Sequence, residues 1–330
     1  MWDHLGTPVR GPGRFGVVDP AAFLADLEAK PATLLALLDN LPSWPEVGRG
    51  PIVLTGMGSS WFAADVAARR FRRHGIAAVA ELASVEATFP PSPDLTVIGI
   101  TASGKSAETI ALLAAHCGVS RTIALTNETS ASLPTEHIVM MNAGVETGGV
   151  ACRTYLHSLV ALLALEQRLA GVELRLGERV RRSAAAIAYL LDRRDGWMPP
   201  IVESMEGTKG LWLLAPAERL GSALQGALMV REGPRRAADG CETGDWNHVD
   251  VYLTKTLDYR ALLFTGSRFD ADALKWMKDR RSHVVTVGAE PDGVAVTVRY
   301  PGDDDPIVTL LTEVLVAELL AAHWWLESLA

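Results

Sequence analysis

Ile52-Val53-Leu54-Thr55-Gly56-Met57-Gly58-Ser59-Ser60-Trp61-Phe62 is the stretch on which the fold turns. A short apolar run ends in glycines and two hydroxyls, and a helical pattern starts at once, from Trp61 to His74, with Gly75 as its stop. A strand that passes through a glycine turn straight into a helix opens a βαβ unit. The same grammar recurs downstream. Leu95 to Ile100 reads as an apolar strand, Thr101-Ala102-Ser103-Gly104-Lys105-Ser106 follows it, and Ala107 to Cys117 is helical. Short strands are expected at Ala77–Leu82, Thr122–Leu125 and Ile138–Met141, and long helices at Cys152–Leu169 and Gly177–Arg194. Alternating strands and helices predict a mostly parallel sheet covered on both faces.

A second run of the same kind begins near Gly210. It reads as strand Leu211–Ala215, helix Arg219–Glu232, strand Ala261–Phe264 leading into Thr265-Gly266-Ser267, helix Asp270–Arg280, strands His283–Val287 and Val294–Val298, and a last helix Pro306–Leu326. The two runs are offset by about 160 residues and predict two similar α/β lobes. The expected division is a helical N-terminal segment over 1–50, a first lobe over 51–195 and a second over 196–330, with a linker between Asp195 and Gly210 where Pro199-Pro200 sits. Within the first segment, Asp19-Pro20 starts a helix that is expected to reach Asn40.

With 330 residues, 48% of them hydrophobic, the chain folds without a disulfide or metal staple. Cys117, Cys152 and Cys241 show no zinc or disulfide spacing, and a cytoplasmic setting follows as an expectation. No metal or organic cofactor is implied. The net charge of −8 argues against a nucleic-acid partner. Met1 to Gly16 lacks the apolar stretch of a signal peptide. Ile307 to Leu326 is interrupted by Glu313 and Glu318 and is expected to be an amphipathic helix, not a membrane span.

In an open parallel sheet, ligands bind beyond the carboxyl ends of the strands at the switch point. Gly56–Ser60 and Thr101–Ser106 are expected there, both rich in hydroxyls and both followed by helix starts whose free amides favour an anion. Each loop alone reads equally well as an ordinary cap; the pair reads as a phosphate cradle. Gly56-x-Gly58 lacks the third glycine of a dinucleotide fingerprint, since Trp61 stands there, and Ser103-Gly104-Lys105-Ser106 lacks the leading glycine of a Walker loop.

These residues resemble the sugar isomerase (SIS) domain family. The chain is similar to tandem SIS lobes such as the isomerase half of glutamine–fructose-6-phosphate aminotransferases. The resemblance spans roughly Pro51 to Leu326. It rests on Gly58-Ser59-Ser60, on the Thr101–Ser106 loop, on Asn142-Ala143-Gly144-Val145-Glu146-Thr147-Gly148, and on the helix ending at Glu232 with His248 beyond it. It implies two doubly wound, flavodoxin-like parallel-sheet lobes. It also implies that Gly58, Ser59, Ser60, Thr101, Ser103 and Ser106 hold a sugar phosphate, and that Glu146 and the backbone near Gly149 contact sugar hydroxyls. Glu232 then moves a proton between C1 and C2, and His248, from a neighbouring subunit of a homodimer, assists ring opening. A carboxylate base and a histidine suit those tasks chemically.

The departures also carry information. Met229 stands where the aminotransferases have a Lys three residues before the base, Arg153 where a Lys is usual, and Ala102 where the phosphate loop has Gln. His248 is preceded by Gly244-Asp245-Trp246-Asn247. Neither a glutaminase segment before residue 51 nor a lysine tail after Trp325 is apparent. Glutamine-dependent amino transfer is therefore not expected. Isomerisation, deamination or deglycation of a hexose 6-phosphate derivative is, and the alternative is a phosphosugar-binding protein without catalysis. Lys105 reads as a phosphate partner or a solvated loop residue, and Trp246 as a wall of the substrate site.

Overall fold

The computed structural model describes residues 18–86, 89–207 and 209–329. The Met1–Gly16 stretch lies outside the described residues.

The first lobe runs β1 (Ile52–Gly56), α3 (Ser59–Arg73), β2 (Ala78–Leu82), β3 (Thr96–Thr101), α4 (Ala107–His116), β4 (Arg121–Thr126), β5 (His137–Met140). Two helices precede it, α1 (Pro20–Glu28) and α2 (Lys30–Leu37), and two follow it, α5 (Arg153–Ala170) and α6 (Leu176–Asp192). After α7 (Arg194–Met205) the second lobe runs β6 (Leu211–Ala215), α8 (Leu220–Glu232), β7 (Ala238–Glu242), α9 (Thr243–Trp246), β8 (Arg260–Phe264), α10 (Asp270–Asp279), β9 (His283–Val287), β10 (Val296–Val298). The last helix is α11 (Pro306–Thr312) continuing as α12 (Val314–Glu327).

Each lobe is a five-stranded sheet, ordered β2-β1-β3-β4-β5 in one and β7-β6-β8-β9-β10 in the other. Every pairing is parallel. The two orders are the same order, so the lobes are two copies of one doubly wound, flavodoxin-like unit with switch points at β1/β3 and β6/β8. Their central strands are buried on both faces, which is why they read as unbroken apolar runs.

One apolar core serves both copies. Residues of α3, α5, α8 and α12 belong to a single buried cluster that also takes in Phe23, Leu34 and Trp44 ahead of the first strand. The helix expected from Asp19 to Asn40 is two helices that meet at Ala29, with Pro31 in the first turn of the second. Asp19 caps the first, accepting from the Ala21 and Ala22 amides.

Three expectations need correction. The stretch expected as a linker is helix α7, with Pro199 and Pro200 inside it. Each proline removes a helical hydrogen bond, and burial of Met198, Ile201 and Met205 on one face holds the helix in place. The last helix is not amphipathic. It is long and apolar enough to cross a membrane by length and composition, but its most apolar stretch is 94% buried within the protein. Two of its three carboxylates are buried and paired, Glu313 with Arg219 at 2.9 Å and Glu318 with Lys30. Finally, β7 is a strand that hydrophobic patterning does not reveal, because Ala-Asp-Gly-Cys-Glu is a half-exposed edge.

Candidate functional site

At the first switch point, β1 and β3 deliver both hydroxyl loops to the same edge of the sheet. Gly58 caps α3 with φ +53°, a conformation that favours glycine. Ser59 and Ser60 form the first turn of α3, half-buried, and their hydroxyls have no hydrogen-bond partner among the described residues. Trp61 Nε1, in the same turn, and Thr55 Oγ1, on β1, are buried without a partner. Across the switch point, Thr101 is buried at the end of β3 and Ser103 is exposed, its Oγ accepting from the Lys105 amide at 3.3 Å. Ser106 is already employed. It caps α4 by accepting from the Thr109 amide at 3.4 Å, and it donates to Glu108 at 3.0 Å. Lys105 is exposed.

The helix that ends at Glu232 approaches this edge from the second lobe. A Cβ on Gly221, at the start of α8, would meet Val66 and Phe62 of α3; a Cβ on Gly58 would meet Leu228 Cδ2 at 3.8 Å. Contacts that rise along α3 as they fall along α8 make the two helices antiparallel. Glu232 lies four residues beyond Leu228, on the same face and about 6 Å further along the axis. The carboxyl end of α8 therefore passes the hydroxyl-bearing start of α3. Glu232 is half-buried, and burial raises its carboxyl above the ordinary value, partly countered by Arg235 and Arg231. Met229 faces the core and is fully buried, so no cation stands one turn before the carboxylate.

Glu146 is placed differently from a side chain free to meet a sugar. Its Oε1 accepts from the amides of Cys152, Arg153 and Thr154 at 2.7, 2.6 and 3.1 Å, and its Oε2 from Thr154 Oγ1 at 2.7 Å. The carboxylate is the anionic cap of α5. The loop around it is held from the N-terminal segment. Asp26 accepts from the Gly148 amide at 2.8 Å and from Arg153 Nη2 at 2.9 Å, and Arg153 also donates to the Val145 carbonyl. Gly148 lies so close to Phe23 that a Cβ would sit 2.5 Å from its backbone. Gly149, with φ +74°, ends this loop exposed. Sequence patterning gave no signal for Asp26, whose partner lies 127 residues away.

His248 is exposed. It lies beyond the carboxyl end of β7, whereas Glu232 lies before its amino end. At roughly 3.3 Å per residue the strand alone carries the chain about 15 Å. The two residues thus stand at opposite ends of the second sheet, and one chain does not bring them together. Trp246 is not a substrate wall: it is fully buried, donating to Tyr259 Oη at 2.6 Å in a core beside Trp212.

The second switch point is built alike but is filled from within. The amides of Gly266 and Ser267, after β8, both donate to Asp270 Oδ2, at 2.6 and 3.1 Å. Arg219, after β6, is bound to Glu313 and to the Thr265 carbonyl. In this copy a protein carboxylate occupies the loop amides. Among the described residues, no group of three or more His, Cys, Asp and Glu side chains is able to hold a metal ion.

Residues 49–166 match the SIS domain family. The chain is 27% identical over 323 residues to a glutamine–fructose-6-phosphate aminotransferase (isomerizing) of Thermosynechococcus vestitus, covering 87% of this chain and 49% of that protein. It spans about half the length of the curated relatives it matches first. Among solved structures, the C-terminal domain of glucosamine-fructose-6-phosphate aminotransferase from Francisella tularensis superposes with a TM-score of 0.79 at 15% identity, covering 92% of this chain and 95% of that one. Tagatose-6-phosphate ketose/aldose isomerase from Escherichia coli superposes with a TM-score of 0.76 at 17% identity, covering 94% and 95%. At these identities the structural likeness is one of fold.

Proposed function

We propose that this chain, whose residues 49–166 match the SIS domain family, processes a phosphosugar: an aldose–ketose isomerase, or a related deaminase or deglycase, acting on a hexose 6-phosphate derivative. The observation that supports this reading is the antiparallel packing of α3 and α8, which runs the end of α8 that carries the half-buried Glu232, its pKa raised, past the start of α3 that carries unpartnered serine hydroxyls. Such a carboxylate is a stronger base than an exposed one, and the hydroxyls and amides at the start of α3 suit a phosphate.

In the reaction, Ser59, Ser60, Thr101, Ser103 and the amides at Gly58 hold the phosphate. Ser106 shapes its loop as the cap of α4 and offers its hydroxyl once the contact to Glu108 is exchanged. Glu232 takes a proton from the carbon next to the carbonyl and returns it to the neighbouring carbon. The hemiacetal must open first. His248 does this from a second copy of the chain, since its own Glu232 lies at the far end of the sheet. The working unit is a homodimer with shared sites. Three free cysteines fit a reducing cytoplasm. Glutamine-dependent amino transfer is not part of the activity, because a buried methionine replaces the lysine before Glu232.

The second reading is a phosphosugar-binding protein without catalysis, favoured by that same methionine. Incubation with fructose, glucosamine and fructosamine 6-phosphates separates the two. Turnover of one of them that is lost in Glu232→Gln supports the enzyme. Calorimetric binding with no product supports the binding protein, and neither binding nor turnover overturns both.

A further inference from the structure

We propose that this protein has a second anion site, at the carboxyl end of α3, and that it takes a diphosphate group. A cavity of about 350 Å³ opens there, lined by Arg70, Arg73, His74, Glu166 and Arg179 and walled by the start of the last helix. It stands apart from the hydroxyl loops, since α3 has 15 residues and is therefore about 22 Å long.

Cations at a helix end are often simple partners of the dipole, and two of the arginines in this last stretch are used structurally. Arg69 pairs with Asp65 at 2.7 Å, and Arg72 donates to the Ala78 carbonyl at 2.8 Å. The cavity residues differ. The buried Glu166 carboxylate accepts from Arg70 Nε and Nη2 at 2.5 and 3.1 Å and lies 3.0 Å from His74 Nε2. Arg73 has no acceptor among the described residues and is exposed. On the opposite wall Arg179 shares Asp305 with Arg182, at 3.1 and 2.9 Å, and its Nη1 donates to the Leu174 carbonyl at 2.7 Å, which leaves its Nη2 for a ligand. Four guanidinium groups thus face two carboxylates, a local excess of positive charge on a chain whose net charge is −8.

The ligand class follows from shape and charge. A guanidinium fork matches phosphate oxygens in pairs; the whole fork of Arg73 and the remaining Nη2 of Arg179 come from different helices, so they suit two linked phosphates better than one.

Calorimetry on the full chain at low salt, with inorganic pyrophosphate and with phosphate and sulfate as comparators, tests this. Pyrophosphate is expected to bind more tightly than either comparator, to weaken about tenfold or more in Arg73→Ala, and to be unchanged in the Ser59→Ala/Ser60→Ala double variant. Arg73 is exposed, so its removal spares the fold. ADP measured in parallel distinguishes the sources: binding like pyrophosphate supports a site for nucleoside diphosphates, and exclusion supports one for free diphosphate. No pyrophosphate binding, or binding that survives Arg73→Ala and is lost in the serine variant, overturns the proposal.

Discussion

Gly58 and Leu228 meet across the two lobes: a Cβ on the glycine would stand 3.8 Å from the leucine Cδ2. This contact aligns the hydroxyl loop of one copy with the carboxyl end of the matching helix of the other. The packing that sustains it is tightest at Gly221. A Cβ there would lie 2.7 Å from Tyr155 Oη and 2.8 Å from Val66 Cγ2. Gly221→Ala is expected to cost about 1–3 kcal/mol of stability through overpacking and to lower turnover by displacing Glu232. Denaturant unfolding measures the first, and stability equal to the parent contradicts the packing argument.

Glu232 is held at some expense of stability. Burial raises its pKa in the folded protein, so the fold favours the protonated form. The associated stability is fully present below the unfolded value and is lost as pH rises through the folded one. Glu232→Gln is therefore expected to melt at or above the parent temperature near pH 7, with the difference vanishing in acid below the ordinary glutamate value of 4.5. The acid limb of the parent's rate profile is expected above that same value. A lower melting temperature for the variant at neutral pH removes this account.

Sharing of the site between copies has a numerical signature. Glu232→Gln and His248→Ala are each expected to be inactive alone. After mixing and exchange, half of the dimers are hybrids, and each hybrid has one intact site of two, so about a quarter of parental activity returns. No recovery, despite demonstrated subunit exchange, counts against a histidine acting across the interface.

Glu146 tests capping against sugar contact. Glu146→Gln loses the charge that three backbone amides share, and its amide nitrogen cannot accept from Thr154. A stability loss of about 1–3 kcal/mol is expected. If the variant unfolds like the parent while KM for a phosphosugar rises, the carboxylate serves the sugar and not α5.

Legibility in the sequence followed burial. Central strands such as Ile52–Gly56 and Leu211–Ala215 are buried on both faces and announce themselves by composition. β7 does not, because its identity comes from its neighbours. Gly240 is required by the Ala223 backbone, 2.7 Å from where a Cβ would be, and no local pattern records that demand. The last helix misleads for the opposite reason: its glutamates look like a polar face until Arg219 and Lys30 are seen beside them. The hydroxyl loops were readable as strand-to-helix turns at the switch point. Capping by Ser106, next before α4, was readable too; the employment of Glu146 as a cap was not, since capping by a residue several positions ahead of its helix depends on how the loop returns.

The buried pair of Lys30 and Glu318 has a consequence for synthesis. Their side chains are 1% and 0% exposed, and 288 residues separate them. Neither charge can be left alone in an apolar interior. On the ribosome, Lys30 emerges early and has no partner until Glu318 follows. The N-terminal helices are therefore expected to complete their docking only once nearly the whole chain has been made.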